Sequence, residues 1–209
     1  MKERNKMAEI SIEQIKKLKE LTGVGLTGAK VALVDAGGDF DAALTAMREK
    51  GLTKAEKRGE REAREGLIEA YVHSGRIGVL VELNCETDFV ARTDDFKTLA
   101  HEIAMQVAAM NPKWVSDADI PTEEIERKKG ELMEAAQTDE KNAKKPADVL
   151  EKIIDGQLKK YFDELVLLSQ PFWKDDSITV DTLVKNAIAK LGENIVVRQF
   201  KRIELGVSE

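Results

Sequence analysis

The run KAEKRGEREAREG, Lys54–Gly66, splits the chain into two parts that obey different periodicities. Nine of its thirteen residues are charged and none belongs to an apolar stripe, so it reads as a solvated helical or flexible connector. Before it, apolar residues recur at helical spacing. After it, they alternate as in strands. The expected division is 7–53, a three-helix domain; 54–66, a charged linker; and 67–209, an α+β domain.

In the first part Ile12, Ile15 and Leu18 share one helix face, and Ser11 with Gln14 reads as a capping box. TGVG (Thr22–Gly25) stops that helix. A second, from about Thr27 to Ala36, carries Ala29, Ala32 and Leu33 and ends at Gly37–Gly38. Asp39 caps a third, with Phe40, Ala43, Leu44 and Met47 inward and Gly51 closing the set. About 40 residues make such a module marginal alone. Beyond the linker, Leu67–His73 alternates with Ile68, Ala70 and Val72 on one face, Ser74–Arg76 turns, and Ile77, Val79, Val81 and Leu83 alternate again, which is a β-hairpin. Phe96, Leu99, Ala100, Ile103, Ala104 and Val107 then form one buried helix face over Asp95–Ala109. Further helices are expected at Thr122–Ala136, at Pro146–Tyr161 and at Thr179–Leu191, the last stopped by Gly192, with a final strand at Ile195–Leu205. The class is α+β, a small antiparallel sheet packed by helices.

Composition narrows the function. The 209 residues sum to a net charge of −6, which disfavours a broad nucleic-acid surface. A single cysteine forms no internal disulfide and suits a reducing compartment. No apolar run approaches the roughly 20 residues that span a bilayer, and MKERNKMAEI has no signal-peptide core. A cytoplasmic location follows as the expectation, with no membrane contact.

Three motifs suggest chemistry and lack its context. Gly23-Val24-Gly25-Leu26-Thr27-Gly28 matches the dinucleotide fingerprint, but a helix precedes it where a strand is required. Its glycines fit a helix–helix turn with Val24 and Leu26 outside, serving as a partner-binding tip or as staples of the module. Asp35, Asp39 and Asp41 lack the spacing and closing glutamate of a calcium loop. Cys85 lies nine strand residues, roughly 30 Å, from the turn beside His73, and His101 is also remote, so neither a nucleophile–base pair nor a zinc site is expected. No catalytic residue, metal or cofactor is called for.

NCETDFVAR, Asn84–Arg92, is harder to assign. Thr87 is placed to cap a following helix, with Asp88 in its first turn. Phe89 then either tucks into the core at a capped corner or stands out as a rigid wedge with a carboxylate beside it.

A resemblance bears on that choice. IGVLVELNCETDFVAR resembles the signature of the bacterial elongation factor Ts family, and so, in order, do LKELTGVGLTGAKVALVDAGGDFDAALTAMREKG, MNPKWVS, LLSQPF and LGENIVVRQF. It implies a guanine-nucleotide exchange factor for elongation factor Tu, with no catalytic chemistry of its own. It further implies a UBA-like N-terminal module docking on the partner's nucleotide domain. Thr87, Asp88, Phe89 and Val90 would enter the partner and dislodge its magnesium, Phe89 as the wedge and Asp88 as its polar companion. Tyr71 and His73 resemble a second contact surface, and Val24, Gly25 and Leu26 fall where contacts are expected. Thr27 departs from the T-G-A-G-M-M often found there. The chain resembles the short form with one core subdomain, whose copies can be linked by a cysteine near the last strand. Lys201 and its neighbours supply none, so a homodimer would be non-covalent or use Cys85.

Overall fold

The computed structural model describes residues 10–22, 24–138 and 146–207. Gly23, the first glycine of the fingerprint-like run, and residues 7–9 of the expected first domain lie outside these.

Helices α1 (Ile12–Thr22), α2 (Leu26–Asp35) and α3 (Phe40–Arg58) come first, then the hairpin of β1 (Glu65–His73) and β2 (Ile77–Cys85). A single turn, α4 (Asp88–Ala91), precedes the long α5 (Asp94–Met110). Next are α6 (Thr122–Thr138), α7 (Ala147–Asp163), the short strands β3 (Pro171–Phe172) and β4 (Asp175–Thr179), α8 (Val180–Leu191) and β5 (Ile195–Glu204). The larger sheet has the order β1-β2-β5, and β3 pairs with β4. The fold is therefore α+β. To the extent that their residues are described, two compact units form. One is Met1–Ile68, Glu82–Ala100 and Thr182–Val197; the other is Glu69–Val81, His101–Asp181 and Arg198–Glu209.

In the first unit the helix starts follow from side-chain chemistry. The Gln14 amide donates to Ser11 Oγ and the Ser11 amide to Gln14 Oε1, both at 3.0 Å, which is the capping box. Asp39 Oδ1 likewise accepts from the Ala42 amide at 3.0 Å. Leu18, Ala29, Leu33 and Ala43 make the module's fully buried centre, with Val24, Phe40 and Met47 packed around it.

Gly51 does not close the module. α3 continues through it to Arg58, so the first residues of the charged run are helical, and Ala55 is buried. The cause is tertiary. A Cβ on Gly51 would come within 3.3 Å of Ala189 Cβ, and Arg58 Nη1 donates to the Ile188 carbonyl, so α3 runs close along α8. A glycine costs a helix about 1 kcal/mol relative to alanine, and here it permits that approach. Gly66 is under a tighter constraint: at φ +147° its missing Cβ would sit 2.1 Å from the Leu83 carbonyl oxygen. Only glycine lets β1 lie against β2 there.

In the second unit the hairpin turns through Ser74 and Gly75, at φ +50° and +67°, closed by the Arg76 amide on the His73 carbonyl. The Leu205 amide donates to the Arg76 carbonyl at 2.8 Å, which fixes β5 antiparallel to β2. Val79 and Val81 are buried on one sheet face, whereas Val72, Leu80 and Ile203 on the other are 66%, 51% and 72% exposed. The face that alternation gives to Ile68, Ala70 and Val72 is thus the exposed one, and the half-buried residues of β1 are the ones between them. Gln106 was also missed. It is buried on α5, donates to Gln170 Oε1 and the Pro171 carbonyl at 3.1 Å, and accepts the Trp173 amide at 2.9 Å. MNPKWVS and LLSQPF meet in the same unit, Leu167 donating to the Trp114 carbonyl and Lys113 to that of Leu165, each at 2.8 Å.

Candidate partner-contact site

The corner between β2 and α5 is assembled from polar contacts around one exposed aromatic. β2 ends in Leu83, Asn84 and Cys85, all buried, so the chain enters the corner from a fixed strand. Thr87, in an extended conformation, is the N-cap of α4: its Oγ accepts from the Val90 amide at 3.4 Å. The Cys85 thiol donates to the Thr87 carbonyl at 3.1 Å. Beyond α4, Thr93 Oγ accepts from the Phe96 amide at 3.3 Å, while Ala91 and Phe96 drop into the core.

Phe89 does not drop in. It is 78% exposed, which removes the reading that tucks it into the core. The capped corner and the outward aromatic coexist, because a cap fixes backbone direction and leaves the second helical side chain free to point to solvent. Asp88 stands beside it, its Oδ2 2.7 Å from Arg92 Nη2 across one helical turn, the Arg92 side chain largely exposed and that of Asp88 about half so. An exposed pair of this kind adds little stability, on the order of 0–1 kcal/mol. Its carboxylate remains open to a better partner. Val90 is half-buried.

Cys85 is fully buried, and its thiol is pushed up to about 11 by desolvation first and by the nearby Glu193 carboxylate second. A neutral, enclosed thiol is a poor nucleophile. It serves the corner as a hydrogen-bond donor.

The other expected contact residues lie elsewhere. Gly25 is the exposed N-cap of α2 and Leu26 is 52% exposed, whereas Val24 is half-buried against the module's core. The two apolar residues of that loop thus divide the roles, Val24 stapling and Leu26 facing solvent. Tyr71 and His73, on β1, are joined by the Tyr71 hydroxyl and His73 Nδ1 at 2.9 Å. The Tyr71 ring also meets His101 edge-on at 5.5 Å, and His101 Nδ1 lies 2.8 Å from Glu69 Oε1. Both histidines of the chain therefore flank Tyr71. Among the described residues, no cluster of three or more His, Cys, Asp or Glu side chains could hold a metal, and no helix is long and apolar enough to cross a membrane.

The family model "Elongation factor TS" matches residues 6–207. Elongation factor Ts of Herpetosiphon aurantiacus is 50% identical over 198 residues, covering 94% of this chain and 98% of that protein. That of Fervidobacterium nodosum is 49% identical over 199 residues, covering 95% and 99%. That of Carboxydothermus hydrogenoformans is 50% identical over 198 residues, covering 94% and 89%. Matched over residues 6–207 by the family model and over at least 94% of its length by these relatives, the chain belongs to the elongation factor Ts family.

Proposed function

We propose that the protein is a guanine-nucleotide exchange factor for elongation factor Tu and that Thr87–Val90 is the element that loosens the bound nucleotide. The observation that carries this reading is Phe89, a large aromatic left 78% exposed at a corner fixed on both sides. Membership of the family supports the choice of partner.

The physics asks for such an element. A GTPase holding GDP at nanomolar affinity has about 12 kcal/mol of binding free energy to undo, much of it in phosphate–magnesium–protein contacts. A factor speeds release only if it binds the nucleotide-bound form more weakly than the empty one, and by linkage the two ligands weaken each other equally. It therefore needs a broad docking area and a small element incompatible with the bound state. Phe89 inserts as the wedge, and Asp88, released from Arg92, offers its charge where the magnesium site is rearranged. Thr87 and Val90 hold the turn that carries them. The factor needs no catalytic group of its own.

Docking falls to other surfaces. Gly25 and Leu26 form the exposed tip of the N-terminal module, with Val24 shaping it from within, and Tyr71 with His73 makes a second contact. The outward apolar residues Val72, Leu80 and Ile203 supply the face on which two copies associate non-covalently. Cys85, being buried, takes no part in linking them.

Fluorescent GDP release from elongation factor Tu tests the reading. Release accelerates with the concentration of this protein, and Phe89→Ala abolishes most of that acceleration while leaving much of the binding. Binding without acceleration would instead make the protein an interaction adaptor.

A further inference from the structure

The corner that presents Phe89 is gripped from a distant part of the sequence. Gly192, at φ +84°, ends α8, and the next two residues reach back to Glu86 and Thr87. Glu193 Oε1 accepts the Thr87 hydroxyl at 2.7 Å, and Glu193 Oε2 accepts the Thr87 amide at 3.0 Å. Asn194, 2% exposed, donates its amide to Glu86 Oε1 at 2.7 Å. Its side-chain nitrogen donates to the carbonyls of Arg61 and Gly59 at 2.6 and 3.3 Å. Two successive residues of the corner are thus held by two successive residues of the α8–β5 turn.

We infer that Glu193 is a positioning residue for nucleotide release, setting Thr87 as the N-cap of α4 and so holding Phe89 outward. A threonine hydroxyl has one proton and two lone pairs. With the proton committed to Glu193, the oxygen can only accept on its other side, where the Val90 amide lies. The second carboxylate oxygen fixes the Thr87 amide, and a bidentate, charge-assisted grip of this kind is stronger and more directional than a neutral bond. Phe89 is two residues on, in the helical turn that this cap initiates. A wedge that can swing away on meeting its target transmits no strain to it; one held by a cap and a carboxylate does. Nothing in the local sequence NCETDFVAR names Glu193, which is 106 residues away from Thr87.

This inference rests on the wedge reading above, and the test separates the two. GDP release from elongation factor Tu is followed at increasing concentrations of the full chain for the wild type and for Glu193→Ala, Glu193→Gln, Thr87→Val, the Thr87→Val/Glu193→Ala double variant and Phe89→Ala. Glu193→Ala lowers the saturating release rate by roughly 5- to 10-fold, the scale of a lost cap, with the half-saturating concentration changed by less than about 2-fold. Glu193→Gln, which keeps the shape and one acceptor, retains more of the rate and guards against misfolding. The double variant is no slower than Thr87→Val, because Glu193 acts through Thr87. A purely structural role would lower the melting temperature and leave the saturating rate per folded molecule unchanged.

In the free protein, hydrogen exchange at the Val90 amide accelerates in Glu193→Ala. Wild-type saturating rates in both Glu193 variants, with Phe89→Ala slow, overturn the inference and leave the wedge standing. A wild-type rate in Phe89→Ala removes the wedge and the release role of Glu193 together. Unchanged protection at Val90 in Glu193→Ala overturns the grip itself, whatever Phe89 does.

Discussion

The corner at Thr87–Arg92 and the loop at Thr22–Leu26 both bring apolar side chains to the surface beside a helix start, and they are held by different forces. The loop is stapled by packing: Val24 lies against the module's core, and Gly25, with no side chain to accept a capping hydrogen bond, opens α2. The corner is held by polar groups, with Thr87 receiving or giving hydrogen bonds to Val90, Cys85 and Glu193. Apolar packing tolerates small readjustments, whereas hydrogen bonds to a carboxylate fix direction as well as distance. A surface that only docks can use the first kind of support. An element that must push on a partner requires the second.

Four measurements test that contrast. The largest effect compares two phenylalanines seven residues apart. Phe96→Ala, at a fully buried position, should cost roughly 3–5 kcal/mol in urea unfolding, while Phe89→Ala stays within about 0.5 kcal/mol. A comparable loss in Phe89→Ala would mean that the aromatic is a structural part of the corner after all.

Thr87→Ala should cost about 1–2 kcal/mol by the same unfolding measurement, since it removes the cap and leaves Glu193 short of a donor. A neutral result would show that the corner is held by its flanking strand and helix alone. In the N-terminal loop, Val24→Ala should destabilise by about 1 kcal/mol, and Leu26→Ala by less than about 0.5 kcal/mol. Affinity for elongation factor Tu should respond in the opposite order, falling more in Leu26→Ala, as a binding isotherm would report.

The last effect is confined to alkaline pH. Cys85 is raised from 9.0 to about 11 in the folded chain. Between those values the folded state keeps a proton that the unfolded state has lost, so stability is present in full below about pH 9 and declines as pH rises towards 11. Cys85→Ala should flatten that decline. Iodoacetamide should label Cys85 slowly in the native protein at pH 8 and quickly after unfolding; rapid native labelling would show that the corner opens.

Local sequence determined much of this protein. Capping residues Ser11, Gln14 and Asp39 act on their own helices, and the period-2 and period-3.6 patterns mark the hairpin and α5 because one buried face suffices to read them. Thr87 as a cap was legible for the same reason: its partner is three residues away. The remaining features depended on residues far apart in the chain. α3 runs through Gly51 because Ala189 and Ile188 lie against it, and a helix stop cannot be read from a glycine whose role is close approach. Gln106 is buried because Gln170, Pro171 and Trp173 come to it. Local sequence leaned towards placing Phe89 in the core, and it lies outside, since the choice depends on which way the corner is turned. Glu193 and Asn194 bear on that turn by hydrogen bonds that close loops of more than 100 residues, contacts that only the tertiary structure creates.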